Sequence, residues 1–181
     1  MKTAHRASPT LIAVDLFAKV LIVSDSVTRG EREDLAGPQI SARLVDAGFT
    51  IADYQVIPDG EESVAESLRA MSDFAGLLVT SGGTGFSPRD LTPEGTARVL
   101  ERDAPGLSEA MRLVSPLGRL SRGRSGTVGQ CLILNCPGSP RGALESLEAV
   151  LDVVAHALEL LSDSPSPHPP ETGGSTEISS S

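Results

Sequence analysis

Tryptophan is absent from this chain, and aromatic residues together make up 3% of its 181 positions. Any core must therefore come from the aliphatic part of its 39% hydrophobic content, chiefly Leu, Val, Ala and Ile. No run approaches the roughly 18 consecutive apolar residues of a transmembrane helix, so no membrane span is expected. The N-terminus lacks the basic, apolar and small-residue succession of a secretory signal. Cysteine is limited to Cys131 and Cys136, which are not spaced as C-x-x-C. They read as two buried thiols in a reducing cytoplasm rather than as a disulfide framework. Three scattered histidines provide no zinc ligand set and no acid–base cluster, and His156 reads as a packing or interface residue. Cys136 has no nearby histidine in sequence, which argues against covalent acyl-type catalysis.

Acidic residues are also missing from one stretch, although the formal net charge is −9. The total charge argues against a general nucleic-acid binder. From Ala110 to Leu144 there is no Asp or Glu, while Arg112, Arg119, Arg122, Arg124 and Arg141 fall inside. Such a segment can be solvated surface, a contact for acidic neighbours in an oligomer, or a seat for an anion, since Arg forks onto phosphate oxygens.

The ends differ from the middle. Residues 1–15 show no clear period and read as a loose arm. Residues 163–181, "DSPSPHPPETGGSTEISSS", have almost nothing to bury and read as a disordered tail that can meet a protein partner. The domain is then 16–162. Within it, the apolar runs 19–25, 49–57 and 75–80 suit strands, the first and third buried on both faces. Residues 125–135 read as a small-residue break followed by a strand. Pro38 at a first helical position and Gly48 bound one helix. Val64, Leu68 and Met71 mark a second, and Thr92 can cap a third with Pro93 in its first turn. Residues 105–114 read as a fourth, and Leu144, Leu147, Leu151, Val154, Leu158 and Leu161 stripe a long last one. This alternation predicts an α/β domain of three layers, α/β/α, with a mainly parallel sheet. Ligands of such sheets gather at the carboxyl ends of strands, which brings loops 24–37, 58–61 and 80–92 together.

The loop "TSGGTGFSPRDLTPEGT" at 80–96 follows a buried strand and precedes a helix, where backbone N–H groups can face an anion. Gly82, Gly83 and Gly85 permit close approach, and Thr80, Ser81, Thr84 and Ser87 offer hydroxyls. The dinucleotide fingerprint fails because Pro88 stands at its third glycine, and the P-loop fails for want of Gly-Lys-Ser/Thr. Composition alone leaves a tight structural loop and a phosphate cradle both open. Asp90 can bond the turn before Thr92, and Asp59 can cap the following helix with Glu62 as its partner. Together the two carboxylates can instead hold one Mg²⁺, which takes one or two carboxylates and completes its shell with water and phosphate oxygens. Ser24, Asp25 and Asp34 lie in a long loop that is either solvated or functional. Asn135, Pro137, Gly138 and Ser139 form a strand-to-helix turn whose helix N-terminus can take an anion.

The loop at 80–96 closely resembles the signature of the molybdopterin-binding domain family. That family includes bacterial molybdopterin adenylyltransferases (MogA), their MoaB relatives, and the G domains of gephyrin and its plant counterpart. The resemblance runs over about 19–162, through "VSDSVTRGEREDLAGP", "VIPDGEE", "APGLSEAM", "LSRGRSG" and "LILNCPGSP". It implies a cytoplasmic role in molybdenum cofactor biosynthesis and a homotrimer or hexamer. It also implies an Mg²⁺-dependent transfer of AMP from ATP to the terminal phosphate of molybdopterin. The family's two essential aspartates fall on Asp59 and Asp90, as metal-holding catalytic residues. The 81–85 loop would cradle the nucleotide or the shared phosphate. Ser24, Asp25, Asp34 and the 121–139 region, with Ser121, Arg122, Asn135, Pro137, Gly138 and Ser139, would bind the pterin and its phosphate. The alternative implied by the family is a MoaB-type binding or regulatory protein without turnover. Three positions depart from the pattern: Val128 for a usual Arg, Ala36 for Ser, and Gly95 for Ala. The first removes an expected anion donor, with Arg122 or Arg124 as possible substitutes. The last is a poor helix former.

Overall fold

The structure is a computed structural model in which residues 15–162 are described. The expected tail, and all but the last residue of the expected arm, lie outside those residues. The chain runs β1 (Phe17–Val23), α1 (Asp25–Thr28), α2 (Ala36–Asp46), β2 (Thr50–Ile57), α3 (Glu61–Met71) and β3 (Gly76–Ser81). It continues through α4 (Thr92–Ala97), β4 (Arg102–Asp103), α5 (Pro105–Leu113), a 3₁₀ turn at Pro116–Leu120, β5 (Ser125–Val128), β6 (Cys131–Cys136) and α6 (Pro140–Leu161).

The strands form one mixed, mostly parallel sheet in the order β2-β1-β3-β6-β5-β4. β1, β2, β3 and β6 pair in parallel, β5 runs antiparallel to β6, and β4 antiparallel to β5. All six residues of both β3 and β6 are buried, as continuous apolar runs in parallel strands require. Alternation along β1 sends side chains to two separate apolar clusters. Ala18, Val20 and Ile22 join Ile40 and Leu44 of α2, Met111 of α5, and Leu147, Val150 and Val154 of α6. Leu21 and Val23 join Val64, Leu68 and Met71 of α3. Fully burying each such side chain contributes roughly 1.5–3 kcal/mol. Among the described residues no helix is long and apolar enough to cross a membrane.

Several local details differ from expectation. α2 begins at Ala36, so Pro38 is its third residue rather than its first; the ring is still tolerated because N–H groups of the first turn have no intrahelical partner. Thr92 is the first residue of α4, not its cap. Its hydroxyl instead donates to the Gly82 carbonyl at 2.9 Å. The expected small-residue break at 125 is itself a strand, and Gly129 and Gln130 turn it into a hairpin with β6. The residue flanking α3 is Gly60, and the Asp59 side chain makes no cap bond there.

Candidate functional site

The sheet order reverses between β1 and β3, since the chain places β2 on one side of β1 and then β3 on the other. Helices diverge at such a switch point and leave a crevice beyond the carboxyl ends of the strands. The turns after β1, β2, β3 and β6 meet there around a cleft of about 350 Å³. Ser24, Asp34, Asp59, Ser81, Gly82, Gly83, Asp90, Gly138 and Ser139 all border it. The three loops expected to converge do so, and the 137–140 turn joins them.

The glycine turn is shaped by its neighbours. Gly82 has φ +113, and a side chain there would place Cβ 2.1 Å from the Val23 carbonyl oxygen. Gly83, at φ +62, would drive a Cβ to 2.4 Å from Thr92 Oγ1. Only glycine satisfies both the backbone and the space. Thr92 pins the turn twice, its N–H donating to the Gly83 carbonyl at 3.0 Å and its hydroxyl to that of Gly82. Gly138 packs against Gly82, and the Ser81 hydroxyl donates to the Pro137 carbonyl at 2.8 Å. Ser139 caps α6, its Oγ accepting from the Gly142 N–H. The first turn of this 22-residue helix carries no acidic residue, so its positive end faces the cleft unneutralised.

Two aspartates, 34 residues apart in sequence, bond reciprocally. The Asp25 N–H donates to Asp59 Oδ2 at 2.7 Å, and the Asp59 N–H donates to Asp25 Oδ1 at 3.1 Å. Asp90 Oδ2 accepts from the Ser87 N–H at 3.0 Å. Asp59 Oδ1 and Asp90 Oδ1 accept no hydrogen bond from the described residues. Burial raises the Asp59 carboxyl above its ordinary value, and the negative charges of Asp25 and Asp90 add to this. Asp25 shifts the other way, chiefly through its hydrogen bond from the Arg89 guanidinium. Asp34 faces inward to the chain: its Oδ1 accepts from the N–H groups of Ala36 and Gly37 and its Oδ2 from the Tyr54 hydroxyl.

The other anticipated residues lie elsewhere or are engaged. Thr84 is buried, and its carbonyl accepts from the Arg122 N–H at 2.9 Å. Arg122 also donates to the carbonyls of Gly85 and Asp90 and pairs with Glu94, so its guanidinium braces the 84–94 segment. Arg124 pairs with Asp103. Ser121, Asn135 and Pro137 border a separate void of about 10 Å³ beside α5. The Asn135 side chain is engaged by the Arg124 N–H and the Thr80 hydroxyl. Arg32, Glu33 and Arg89 went unnoticed in the sequence; the first two border the cleft and the third holds Asp25. The only signal for Arg89 was its place beside Asp90. Val128 pairs with Cys131 at the start of β6, whereas the cleft lies past Cys136 at its end. That separation is roughly 16 Å at the usual rise per strand residue.

Among the described residues no His or Cys lines the cleft. Its glycine turn, hydroxyls and the N-terminus of α6 suit the positioning and charge neutralisation of an anion.

The profile of the family described as "Probable molybdopterin binding domain" matches residues 19–156. A Helicobacter pylori (strain J99) protein named molybdopterin adenylyltransferase is 36% identical over 150 residues, 78% of this chain and 85% of that one. The Drosophila melanogaster molybdenum cofactor synthesis protein cinnamon is 38% identical over 154 residues, 80% of this chain, although the chain spans only 25% of its length. Among solved structures, the molybdopterin biosynthesis enzyme MoaB of Thermus thermophilus superposes with TM-score 0.77 at 46% identity, covering 84% of this chain and 98% of that one. Sequence, fold and cleft agree, and the chain belongs to the molybdopterin-binding domain family of the MoaB and MogA kind.

Proposed function

We propose that the protein acts in molybdenum cofactor biosynthesis as a molybdopterin adenylyltransferase, moving AMP from ATP to the terminal phosphate of molybdopterin. The observation that carries this reading is the pair Asp59 and Asp90, brought to one cleft with one carboxylate oxygen each left open. The donor set fits Mg²⁺. Among the described residues no group of three or more His, Cys, Asp or Glu side chains is placed to hold a metal, so an ion here would rest on these two carboxylates. Two carboxylates in a cleft leave the remaining positions to water and substrate phosphates, as this ion prefers. Burial chiefly, with the charges of Asp25 and Asp90 beside it, raises the Asp59 carboxyl, and a cation at this place would favour its ionised form. When bound, the metal supplies charge neutralisation on the phosphates of ATP.

The chain's own residues do the rest. A phosphate nucleophile is ionised at neutral pH, so no general base is needed. Its oxygen forms a bond to the α-phosphorus of ATP, and the bond to pyrophosphate breaks. The glycine turn and the N-terminus of α6 hold anionic groups in line. A three-layer α/β/α reading rests on the two apolar clusters. Exposed Leu113, Leu117 and Leu120 offer apolar surface for self-association as a trimer or hexamer. Free buried thiols favour a reducing cytoplasm. The non-catalytic alternative rests on Val128 and on the Ser-rich tail; Val128 is remote from the cleft, and the tail lies outside the described residues.

The test is direct. Purified protein with molybdopterin and Mg-ATP is expected to yield adenylylated molybdopterin and pyrophosphate by chromatography. Intact molybdopterin binding with no product would overturn the enzyme reading, and a monomer by light scattering would overturn the assembly.

A further inference from the structure

Arg89 makes three contacts that no catalytic role explains. Its Nε donates to Asp25 Oδ2 at 3.0 Å and its Nη2 to Asp25 Oδ1 at 3.0 Å, a bidentate fork. The same Nη2 donates to the Asp59 carbonyl. Asp25 in turn holds Asp59 through two backbone bonds, one in each direction. Arg89 is the immediate neighbour of Asp90 in the chain. The loop after β3 is thus tied at one residue to the loops after β1 and β2.

We propose that Arg89 and Asp25 are positioning residues, a clamp that sets the separation of Asp59 and Asp90 for a divalent cation. The inference rests on the reading that these two carboxylates receive the metal. The geometry supports it in three ways. First, Asp59 lies in the turn between β2 and α3; among the described residues the one hydrogen bond to its carboxylate comes from the Asp25 backbone N–H, while the Asp25 carboxylate and the Arg89 guanidinium hold the Asp59 backbone N–H and carbonyl. Second, the clamp occupies Asp25, so a third carboxylate beside Asp59 is neutralised rather than added to the site. Third, Arg89 is largely exposed and Asp25 partly so, with side-chain accessibilities of 59% and 23%. An ion pair so open to water adds little to folding, so its loss should leave the fold intact in the variants below. Asp25 bonds the Asp59 carboxylate through its backbone N–H, and Arg89 holds Asp25 and the Asp59 backbone carbonyl; neither is itself a ligand. Groups that orient metal ligands in this way typically change metal affinity or activity roughly 10–100-fold when lost.

The experiment compares the full chain with Arg89→Met, Arg89→Lys, Asp25→Asn, the Arg89→Met/Asp25→Asn double variant, and Asp59→Asn. Binding of Mn²⁺ is followed by electron paramagnetic resonance, and adenylylation is measured against Mg²⁺ concentration. Arg89→Met and Asp25→Asn are each expected to weaken Mn²⁺ binding about tenfold or more. The double variant should be no worse than the worse single one, because both remove the same clamp. Arg89→Lys keeps the charge without the fork and should fall between. The Mg²⁺ concentration for half-maximal rate should rise much more than the rate at saturating Mg²⁺ falls. Unchanged Mn²⁺ affinity in Arg89→Met would overturn the proposal. So would a rise in the KM for ATP alone, which would make Arg89 a phosphate contact, or additive losses accompanied by lower thermal stability. If Asp59→Asn binds Mn²⁺ like the parent, the metal assignment itself fails and the clamp with it; if only Asp59→Asn loses Mn²⁺, the assignment stands and the clamp alone is wrong.

Discussion

The two ends of the sheet solve different problems. At the carboxyl end, loops from four strands meet, and their polar groups bond mainly to one another: Asp25 with Asp59 and Arg89, Ser81 with Pro137, Thr92 with Gly82 and Gly83. At the amino end, Lys19 is settled by the Met71 carbonyl at 2.9 Å and by the Phe74 ring, 4.2 Å from its centroid. Val128 packs beside this end, against the α3 cluster. A departure from the family pattern therefore means different things at the two ends. Val128 removes a charge from a place roughly 16 Å along β6 from the cleft. Ala36 is the departure that borders the cleft, and it meets Asp34 through its backbone N–H, which any residue except proline would supply.

The sharpest way to break this contrast is at the carboxyl end. Asp59→Asn or Asp90→Asn should lower the adenylylation rate on the order of a hundredfold or more, with molybdopterin binding retained by equilibrium dialysis. Retained turnover would erase the difference between the ends. Gly95→Ala comes next. Helix propensity alone favours the alanine by about 1 kcal/mol. In the fold its Cβ would come 2.6 Å from the Glu61 carbonyl oxygen and 2.7 Å from Val64 Cβ. The substitution is therefore expected to destabilise by about 1–3 kcal/mol, read as a lower Tm. A higher Tm would mean that α4 and α3 pack less tightly than described.

The thiols give a smaller effect with a definite sign. Burial pushes Cys131 and Cys136 up to about 12 from an ordinary 9.0. In the unfolded chain they release protons from about pH 9, so the folded state binds more protons between the two values. Stability contributed by these thiols is full below about pH 9 and is lost as pH rises through that window. Iodoacetamide at about pH 8, where a free thiol begins to ionise, should leave both unlabelled in the native protein and label both in denaturant, checked by mass spectrometry. Smallest of all, Val128→Arg should change the adenylylation rate by less than about twofold, since Val128 lies at the far end of β6 from the cleft. A large gain would place that strand end in the reaction after all.

Much of this was legible in the chain, and the boundary is physical. Continuous apolar runs such as "AGLLVT" are buried in the strands they announced, because parallel strands covered on both faces leave no other reading. Loop convergence followed from the same alternation. Hydrogen-bond partners did not. Arg122 looked like an anion donor because its charge is local information, whereas the carbonyls of Gly85 and Asp90 that occupy it are brought by tertiary folding. Arg89 was overlooked for the same reason, since its partner Asp25 is 64 residues away. Thr92 read as a cap from its neighbours, and the glycine carbonyl that claimed its hydroxyl belongs to the preceding turn.

Thr92 has a consequence for association. Its two bonds fix the Gly82–Gly83 turn from within the fold. An incoming anion then meets a turn whose shape is already set, and little conformational entropy remains to be lost on contact. Capture of the nucleotide should be limited by diffusion and charge, with an on-rate that responds to salt far more than to solvent viscosity around a closing loop. The turn behaves as a rigid mould rather than a lid.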